Sequence, residues 1–401
     1  MTFHRSWSVF RSMAALLSLS AAAFSQSGTT TGGPSIASVS ENKMSLQQRT
    51  FVCGGKTQAG TPIGALAGTE GTITISGIPA TATVHKATLF WSVLTPDDGT
   101  SLPTSTIGES ISFDGNPITG TNIGKALETP CFPQSATIAY KADVTAFVAS
   151  PGNGTYTVSG LPVSGGTNAD NFSEGVTLQI LWADPNGALM EDVLYHTGTG
   201  GLLAVTQGQL FHQDITGFMT NASGPVAATL YAVIGNGQVN GNEALRFDGP
   251  EAGDVNLDNT LDGSTVAVPP ASCPGSPVNP PQCFWDDDVH DVSSQMSNSA
   301  NQAALISDPL VTPTNDCFDW VAINLLVSSD EDRVCAEGGD YVDEQCPPGA
   351  EYKNHGEYVK CVAHAAEEFL AALPYDGTCP RAEIQSCIVN PRARSDVGKK
   401  D

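Results

Sequence analysis

The sequence predicts a mainly β protein. It contains two tandem antiparallel β-sandwich units of the jelly-roll or immunoglobulin-like kind, followed by a small disulfide-stabilised α-helical appendix. Three observations lead to this fold class. Short alternating apolar segments are bounded by turn-forming residues, several of these segments return later in the same order, and the C-terminal part changes to helical periodicity with dense cysteine. A composition of 41 glycines and 26 prolines but only 17 lysines and arginines is typical of a loop-rich β protein.

The clearest pair of strands lies in the middle of the first half. Thr155–Ser159 alternates polar and apolar residues between two glycine-containing turn signals, as expected of a strand with one buried face. Apolar residues also alternate from Val176 to Trp182, and Leu181 adds an apolar side chain to the opposite face of that strand. We therefore expect this second strand to be covered on both sides.

Four sequence blocks recur in the same order in the second half. The paired blocks are Val84–Val93 with Val226–Ile234, Ile111–Gly115 with Leu245–Gly249, Lys141–Thr145 with Val289–Ser293, and Val176–Trp182 with Trp320–Val327. No second copy of Gly152–Gly160 is apparent in the sequence. The order of the blocks predicts two sandwich units of the same kind, with loops of different length.

The N-terminus has the pattern of a secretory signal. Arg5 and Arg11 make it positive, Met13–Phe24 is a short apolar run, and small residues follow at a cleavage site. This predicts export to the cell surface or the extracellular space, and no later apolar stretch is long enough for a transmembrane helix. The predicted segments are a signal peptide at 1–25, a flexible leader at 26–50, a first β-sandwich at 51–200, a second β-sandwich with an acidic insertion at 201–332, and a Cys-rich helical segment at 333–401.

Ten cysteines follow the signal, and eight of them come after residue 270. They are Cys53, Cys131, Cys273, Cys283, Cys317, Cys335, Cys346, Cys361, Cys379 and Cys387. An even number in an exported chain predicts disulfides. We expect Cys53 to pair with Cys131, Cys273 to pair with Cys283, and further bridges to form within the tail. A metal cluster is the alternative, although the sequence has no C-x-x-C pair.

The tail has helical periodicity. Apolar residues recur at helical spacing in Lys353–Leu373, and Pro374 ends the predicted helix. Arg381–Val389 predicts a second, shorter helix.

The sharpest local motif is an acidic loop that resembles the calcium loop of EF-hand and dockerin modules. Its candidate metal-ligating residues are Asp254, Asn256, Asp258, Thr260 and Asp262. This spacing suits calcium because alternate residues of a tight loop point inward at one hard cation. Two positions depart from the pattern, since Asn259 replaces the usual glycine and Thr265 replaces the bidentate carboxylate. The alternative is a solvated acidic insertion.

Two further acidic features have structural alternatives. Trp285–Asp291 is the densest acidic run, and it is either part of a cation site or, as we favour, an exposed loop. Asp143 and Asp291 each precede a β-branched and a hydroxyl residue. We expect each to cap a short helical turn through an Asx-turn instead of acting in catalysis.

One incomplete zinc site is also present in the sequence. Cys361 and His364 stand three residues apart on one helical face, with His355 upstream.

Charge excludes some partners. The formal net charge of −25 argues against nucleic acid and anionic lipid surfaces, because both require a basic protein surface. The same charge is compatible with divalent cations. The sequence contains no G-x-S-x-G, H-E-x-x-H or P-loop motif.

Several motifs together resemble a known family. The segments A-T-L-F-W, F-D-G, A-D-V-T-A-F-V, G-N-G-T-Y-T-V-S-G-L-P and L-Q-I-L-W-A-D-P-N are similar to those of an uncharacterised family of secreted bacterial β-sandwich proteins with adhesin-like modules. The resemblance covers about Thr72–Asp330. The tail, with K-N-H-G-E-Y-V-K-C-V-A-H and S-D-V-G-K, resembles a C-terminal segment of other uncharacterised secreted bacterial proteins. Neither resemblance implies a catalytic residue.

The sequence therefore favours a non-enzymatic role in binding or adhesion outside the cell. The expected ligand is an extracellular glycan or protein, and Ca²⁺ is the candidate cofactor. One alternative is a secreted hydrolase that acts on polysaccharide with acids from Asp286–Asp288. Another is a purely structural extracellular component.

Overall fold

Strands that are almost all antiparallel form the body of the protein in a computed structural model, as two outer sheets and one ten-stranded sheet that supplies two inner layers. It describes residues 40–41, 44–63, 70–96, 104–127, 135–162, 171–197, 203–205, 211–235, 244–251, 255–257, 285–308, 318–372 and 381–399. Residues 37–401 belong to one structural unit.

The strands divide into two sets, which we call roll 1 and roll 2. Roll 1 contains β2 (Ser45–Pro62), β3 (Glu70–Ile75), β4 (Thr83–Pro96), β5 (Ser110–Phe113), β6 (Asn116–Thr119), β7 (Thr121–Leu127), β8 (Ser135–Asp143), β9 (Gly154–Ser159) and β10 (Phe172–Ala183). Roll 2 contains β1 (Ser40–Glu41), β11 (Leu189–His196), β12 (Leu203–Val205), β13 (Phe211–Thr216), β14 (Ala228–Gly235), β15 (Ala244–Asp248), β16 (Val255–Leu257), β17 (Trp285–Asp291), β18 (Gln302–Asp308) and β19 (Phe318–Ser328).

Each roll has an inner and an outer sheet with the same strand order. In roll 1 the inner sheet is β2-β10-β4-β8-β7 and the outer sheet is β3-β9-β5-β6. In roll 2 the inner sheet is β11-β19-β14-β17, with β12 on β19, and the outer sheet is β1-β13-β18-β15-β16. Without the additional strands β1, β7 and β12, each roll alternates its strands between two sheets in the two-Greek-key order of a jelly roll. The predicted fold class is confirmed.

The recurring sequence blocks lie in strands of equal position. They fall in β4 and β14, in β5 and β15, at the ends of β8 and β17, and in β10 and β19. Strand β18 occupies in roll 2 the place that β9 occupies in roll 1, although its sequence shows no likeness to Gly152–Gly160.

Strand β2 joins the two inner sheets. Its first half, Ser45–Cys53, pairs with β11, and its second half, Gly54–Pro62, pairs with β10. At the change of partner, a Cβ atom on Gly54 would lie 2.0 Å from the carbonyl oxygen of Trp182. Only glycine fits this crossing without displacing the backbone.

The inner sheets also pack face to face, so their strands are buried on both sides. On β4, Leu89 and Trp91 point into the core of roll 1, whereas Phe90 packs against roll 2. On β10, Leu181 contacts the opposite roll through the cluster that contains Tyr231 and Leu326. The prediction that this strand is covered on both sides is confirmed.

Three helices follow the second roll: α1 (Glu331–Gln345), α2 (His355–Ala372) and α3 (Arg381–Ala393). The sequence predicts α2 and α3, and α3 is longer than expected. It misses α1, whose centre contains Gly338 and Gly339. The helix forms because these glycines admit its neighbours closely: a Cβ atom on Gly338 would lie 2.3 Å from Ile388 of α3.

Asp330 caps α1 by accepting a hydrogen bond from the backbone of Arg333 at 2.8 Å.

Disulfides connect these helices, as predicted for the tail. Cys335 of α1 is bonded to Cys387 of α3, and Cys346 at the end of α1 is bonded to Cys361 of α2. Cys53 is also in a disulfide. Its predicted partner Cys131, and the predicted pair of Cys273 and Cys283, lie outside the described residues.

One segment boundary differs from the prediction. The flexible leader was expected to extend to residue 50, but Ser45 already begins β2, because this segment pairs along its whole length with β11. The signal peptide at 1–25 lies outside the described residues. Among the described helices, none combines the length and apolar character needed to cross a membrane.

A buried ion network fastens the helices to the β body. Glu191 of β11 accepts hydrogen bonds from the guanidinium groups of Arg49 and Arg333, and from the backbone N–H of Met219 at 3.1 Å. Glu337 of α1 approaches the same two arginines at 3.2 and 2.8 Å. Burial opposes the charge on Arg49, but the two glutamates outweigh it and raise the pKa of Arg49.

We expect Glu191→Gln to lower the free energy of unfolding by about 3 kcal/mol, because it leaves two partly buried guanidinium groups without their main carboxylate. Glu337→Gln is the control, since it contacts the same arginines but its side chain is 33% exposed against 0% for Glu191. We expect this control to cost less than about 1 kcal/mol. Urea unfolding of both variants measures the difference, and equal losses would contradict a central role for Glu191.

Candidate functional site

A polar groove crosses the outer sheet of roll 2. It has a volume of about 250 Å³. Its lining residues are His212, Asp214, Thr216, Asp248, Gly249, Pro250, Gln302, Ala303 and Ala304. Convergent polar groups in a concave site can fix the orientation of a bound ligand.

Strand register places the polar groups on one face. Asp214 of β13 and Asp248 of β15 both pair with Ala304 of the central strand β18, so they flank a small residue in one row. Ile215 and Leu305, next to them in sequence, point into the core of roll 2. Because strands are about 4.8 Å apart, the two aspartates have Cα atoms roughly 10 Å apart. The short side chain of Ala304 therefore forms the base of the groove, and the two aspartates lie on either side of it.

The groove contains both donors and acceptors. His212 Nε2 lies 3.0 Å from Oδ1 of Asp214, and Thr216 and Gln302 pair in the neighbouring row of the sheet. Carboxylate, amide and hydroxyl groups in two neighbouring rows suit a ligand that both donates and accepts hydrogen bonds. The sequence analysis did not identify this site, because its residues come from three strands that are distant in the chain.

The predicted calcium loop is only partly described. Asn256 lies in β16, paired with Arg246 of β15, and its side chain is exposed on the outer face. The other candidate ligands Asp254, Asp258, Thr260 and Asp262 lie outside the described residues. Within the described part of the chain, no group of three or more His, Cys, Asp or Glu side chains is placed to hold a metal ion.

The acidic run Trp285–Asp291 is a strand and not the exposed loop that we favoured. It forms β17, in which Asp286 and Asp287 are completely buried. The run pairs with β14 in the inner sheet, so one of its faces packs against roll 1 and Trp285 donates to the Thr177 hydroxyl at 2.9 Å. Charge alone misled the prediction, because sheet pairing buries the beginning of this run.

The capping role predicted for two aspartates is confirmed. Oδ1 of Asp143 accepts from the backbone N–H of Thr145 at 2.9 Å, and Oδ1 of Asp291 accepts from Ser293 at 3.0 Å. A short 3-10 turn follows each of them. Hydrogen bonds from Ser293 lower the pKa of Asp291, as expected for an Asx-turn.

The zinc alternative in the tail is wrong. The sulfur of Cys361 is engaged in the disulfide with Cys346, so it is no zinc ligand. His364 is exposed and lies 3.4 Å from Glu368. The ring nitrogens of His355 approach the backbone oxygens of Val397 at 2.7 Å and Ala393 at 3.0 Å, which ties the end of the chain to the start of α2.

A second polar region lies between the inner sheets, and we call it the inter-roll cleft. It is built around Lys56, Lys86 and Lys141 of roll 1 and Asp192 and His196 of β11. Lys56 and Asp192 form a buried ion pair at 2.7 Å. Burial lowers the pKa of Lys56, and Asp192 opposes that shift.

His196 is held neutral in this cleft. It is 3% exposed, and its Nε2 lies 2.8 Å from Nζ of Lys141. Burial, together with the charge of Lys141, lowers the pKa of His196 to about 3. The imidazole therefore accepts a hydrogen bond from the Lys141 ammonium group.

Comparisons with known proteins give little guidance. No family model matches the chain, and no curated protein matches it. Among solved structures, the chain is similar to one titled "Crystal Structure of the STIV MCP". The identity is 10%, the match covers 70% of this chain and 96% of that chain, and the TM-score is 0.19.

We expect His196 to make the protein less stable as pH falls below about 6.5, the usual pKa of histidine in an unfolded chain. Its folded pKa of about 3 means that only the unfolded chain takes up the proton between these values. The free energy of unfolding then falls by up to about 1.4 kcal/mol per pH unit as the pH approaches the folded pKa. His196→Gln, measured by urea unfolding at several pH values, should flatten this dependence. His364→Gln, whose side chain is 73% exposed, should leave the slope unchanged.

We expect Asp143→Ala and Asp291→Ala each to lower the free energy of unfolding by about 1 kcal/mol, because each removes one capping acceptor. The asparagine variants retain an acceptor oxygen and should cost clearly less. Thermal unfolding of the four variants shows whether each position requires a hydrogen-bond acceptor or a negative charge. If the asparagine and alanine variants were equally damaged, the capping role would be contradicted.

Proposed function

We propose that the protein is an exported, non-enzymatic binding protein of the cell surface or extracellular space, and that the groove on roll 2 takes a hydroxyl-rich ligand such as a glycan. The convergence of Asp214, Asp248, Thr216 and Gln302 around the low floor at Ala304 carries this proposal. Sugars carry many hydroxyl groups, and a side-chain carboxylate or amide can form two hydrogen bonds with them. The rigid sheet fixes these groups before the ligand arrives, which reduces the entropy cost of binding.

Export is supported by two independent features. The N-terminal sequence has the signal pattern described above, and the tail contains the disulfides Cys335–Cys387 and Cys346–Cys361. Disulfides persist mainly in oxidising compartments outside the cytosol.

Calcium assistance is part of the proposal. The candidate loop Asp254–Asp262 follows closely on Asp248, which lines the groove. A cation bound there would stiffen the chain next to the groove and offset its negative charge.

A hydrolase acting on polysaccharide is the second candidate. The buried Asp286 and Asp287 do not favour it, but the facing pair Asp214 and Asp248 does. Two carboxylates on opposite sides of a groove are the catalytic groups that a glycosidase uses as acid and base. A purely structural extracellular role is the third.

We expect the purified mature protein to bind a subset of a glycan array and intact cells saturably, and Asp214→Asn with Asp248→Asn to weaken binding at least tenfold. Glu70→Gln is the matched control, because it removes one exposed carboxylate from the outer sheet of roll 1. A chelator should abolish binding if calcium assists, and should have no effect otherwise.

Release of reducing sugar by the wild-type protein, lost in the double variant, would favour the hydrolase. Absence of both binding and turnover would favour the structural role.

A further inference from the structure

Three lysines converge on one face of the inner sheet of roll 1. Lys56 of β2 and Lys86 of β4 both pair with Leu181 of the strand between them, so they flank it in a single row. Lys141 of β8 lies opposite Phe90, and both residues belong to the face that meets roll 2. The whole chain has only 17 lysines and arginines, so three on one small area is a marked concentration.

The charges in this region do not balance. Lys56 is neutralised by Asp192, at 2.7 Å. The ammonium group of Lys86 donates to the side-chain oxygen of Gln48, and that of Lys141 lies 2.8 Å from the neutral ring of His196. Within the described residues, no carboxylate forms an ion pair with Lys86 or Lys141. Among the described residues, Lys86 and Lys141 therefore lie in the inter-roll cleft without a carboxylate partner of their own.

The lysines also repel one another. Burial first, and then the charge of Lys86, lower the pKa of Lys141, and Lys86 has the same effect on Lys56. A bound anion would remove this repulsion, because each ammonium group would gain an attractive partner in a region that is partly shielded from water.

A small cavity opens beside these amines. Its volume is about 20 Å³, and its polar lining residues are Lys56, Lys86, Gln48, Thr88, Gln179 and Asp192, of which Asp192 is paired with Lys56. A cavity needs roughly 10–15 Å³ to hold one water molecule. This one therefore has room for a single particle of that size, with ammonium and hydroxyl donors around it.

We propose that the inter-roll cleft binds one small anion of the size of chloride at Lys86, and that Lys56 and Lys141 supply the surrounding positive charge. The anion would lie between the inner sheet of roll 1 and strand β11 of roll 2, and would therefore strengthen the contact between the two rolls. This site is separate from the groove on the outer sheet and does not depend on the function proposed for it.

The test is thermal unfolding of the full chain at constant ionic strength, with gluconate replaced stepwise by chloride. We expect the Tm to rise and then to level off, because a ligand that binds only the folded state stabilises it in proportion to ln(1 + [L]/Kd). Lys86→Met should weaken the chloride dependence at least tenfold, and Lys141→Met should weaken it less. Lys125→Met is the matched control, because it removes a half-buried lysine from β7 of the same sheet and should keep the full response.

The line width of the chloride NMR signal gives a second measurement on the unaltered protein, in case a variant does not fold. Addition of protein should broaden the signal saturably, and bromide should compete. A Tm independent of chloride, no broadening, or an equal response in Lys86→Met would overturn the proposal. An equally strong saturable response to sulfate would also overturn it, because the proposal is limited to an anion of the size of chloride.

Discussion

The face-to-face packing of the two inner sheets is the constraint on which the rest of this structure depends. Each inner strand has to supply one face to the core of its own roll and the other face to the opposite roll. Leu89 and Trp91 serve the first purpose, and Phe90 between them serves the second. Polar residues on the shared face require partners from the other roll, as when Gln58 donates to the backbone oxygen of Ala232 at 3.1 Å. Neither roll could bury its inner sheet alone.

Strand β2 and the ion network around Glu191 connect the two rolls with each other and with the helical tail. Strand β2 belongs to both inner sheets, and it changes partner at a glycine where no side chain fits. The first half of β2 also carries Arg49, which meets Glu191 of β11, and Glu191 in turn meets Arg333 of the first helix. Both rolls and the helical tail therefore meet at one junction, so a change at this junction affects all three.

The packing also decides where a binding site can form. The inner faces are occupied by the contact between the rolls, and the space found there beside Lys86 is small. The outer sheets keep one face open to solvent, and on roll 2 that face carries the groove with Asp214 and Asp248. A large ligand is thus expected on an outer sheet, and a small ion is the ligand proposed for the inter-roll cleft.

The sequence by itself determined those features that depend on neighbours in the chain. Alternation identified the strands, helical spacing identified α2 and α3, and the position of Asp143 and Asp291 before short turns identified the two Asx-turns. Tertiary structure decided the rest, because it depends on partners distant in sequence. The burial of Asp286 comes from pairing with β14, and the groove comes from three strands brought together by the jelly-roll order. In helix α1, Gly338 is packed against Ile388 and Gly339 against Arg392, and no local sequence pattern predicts these contacts.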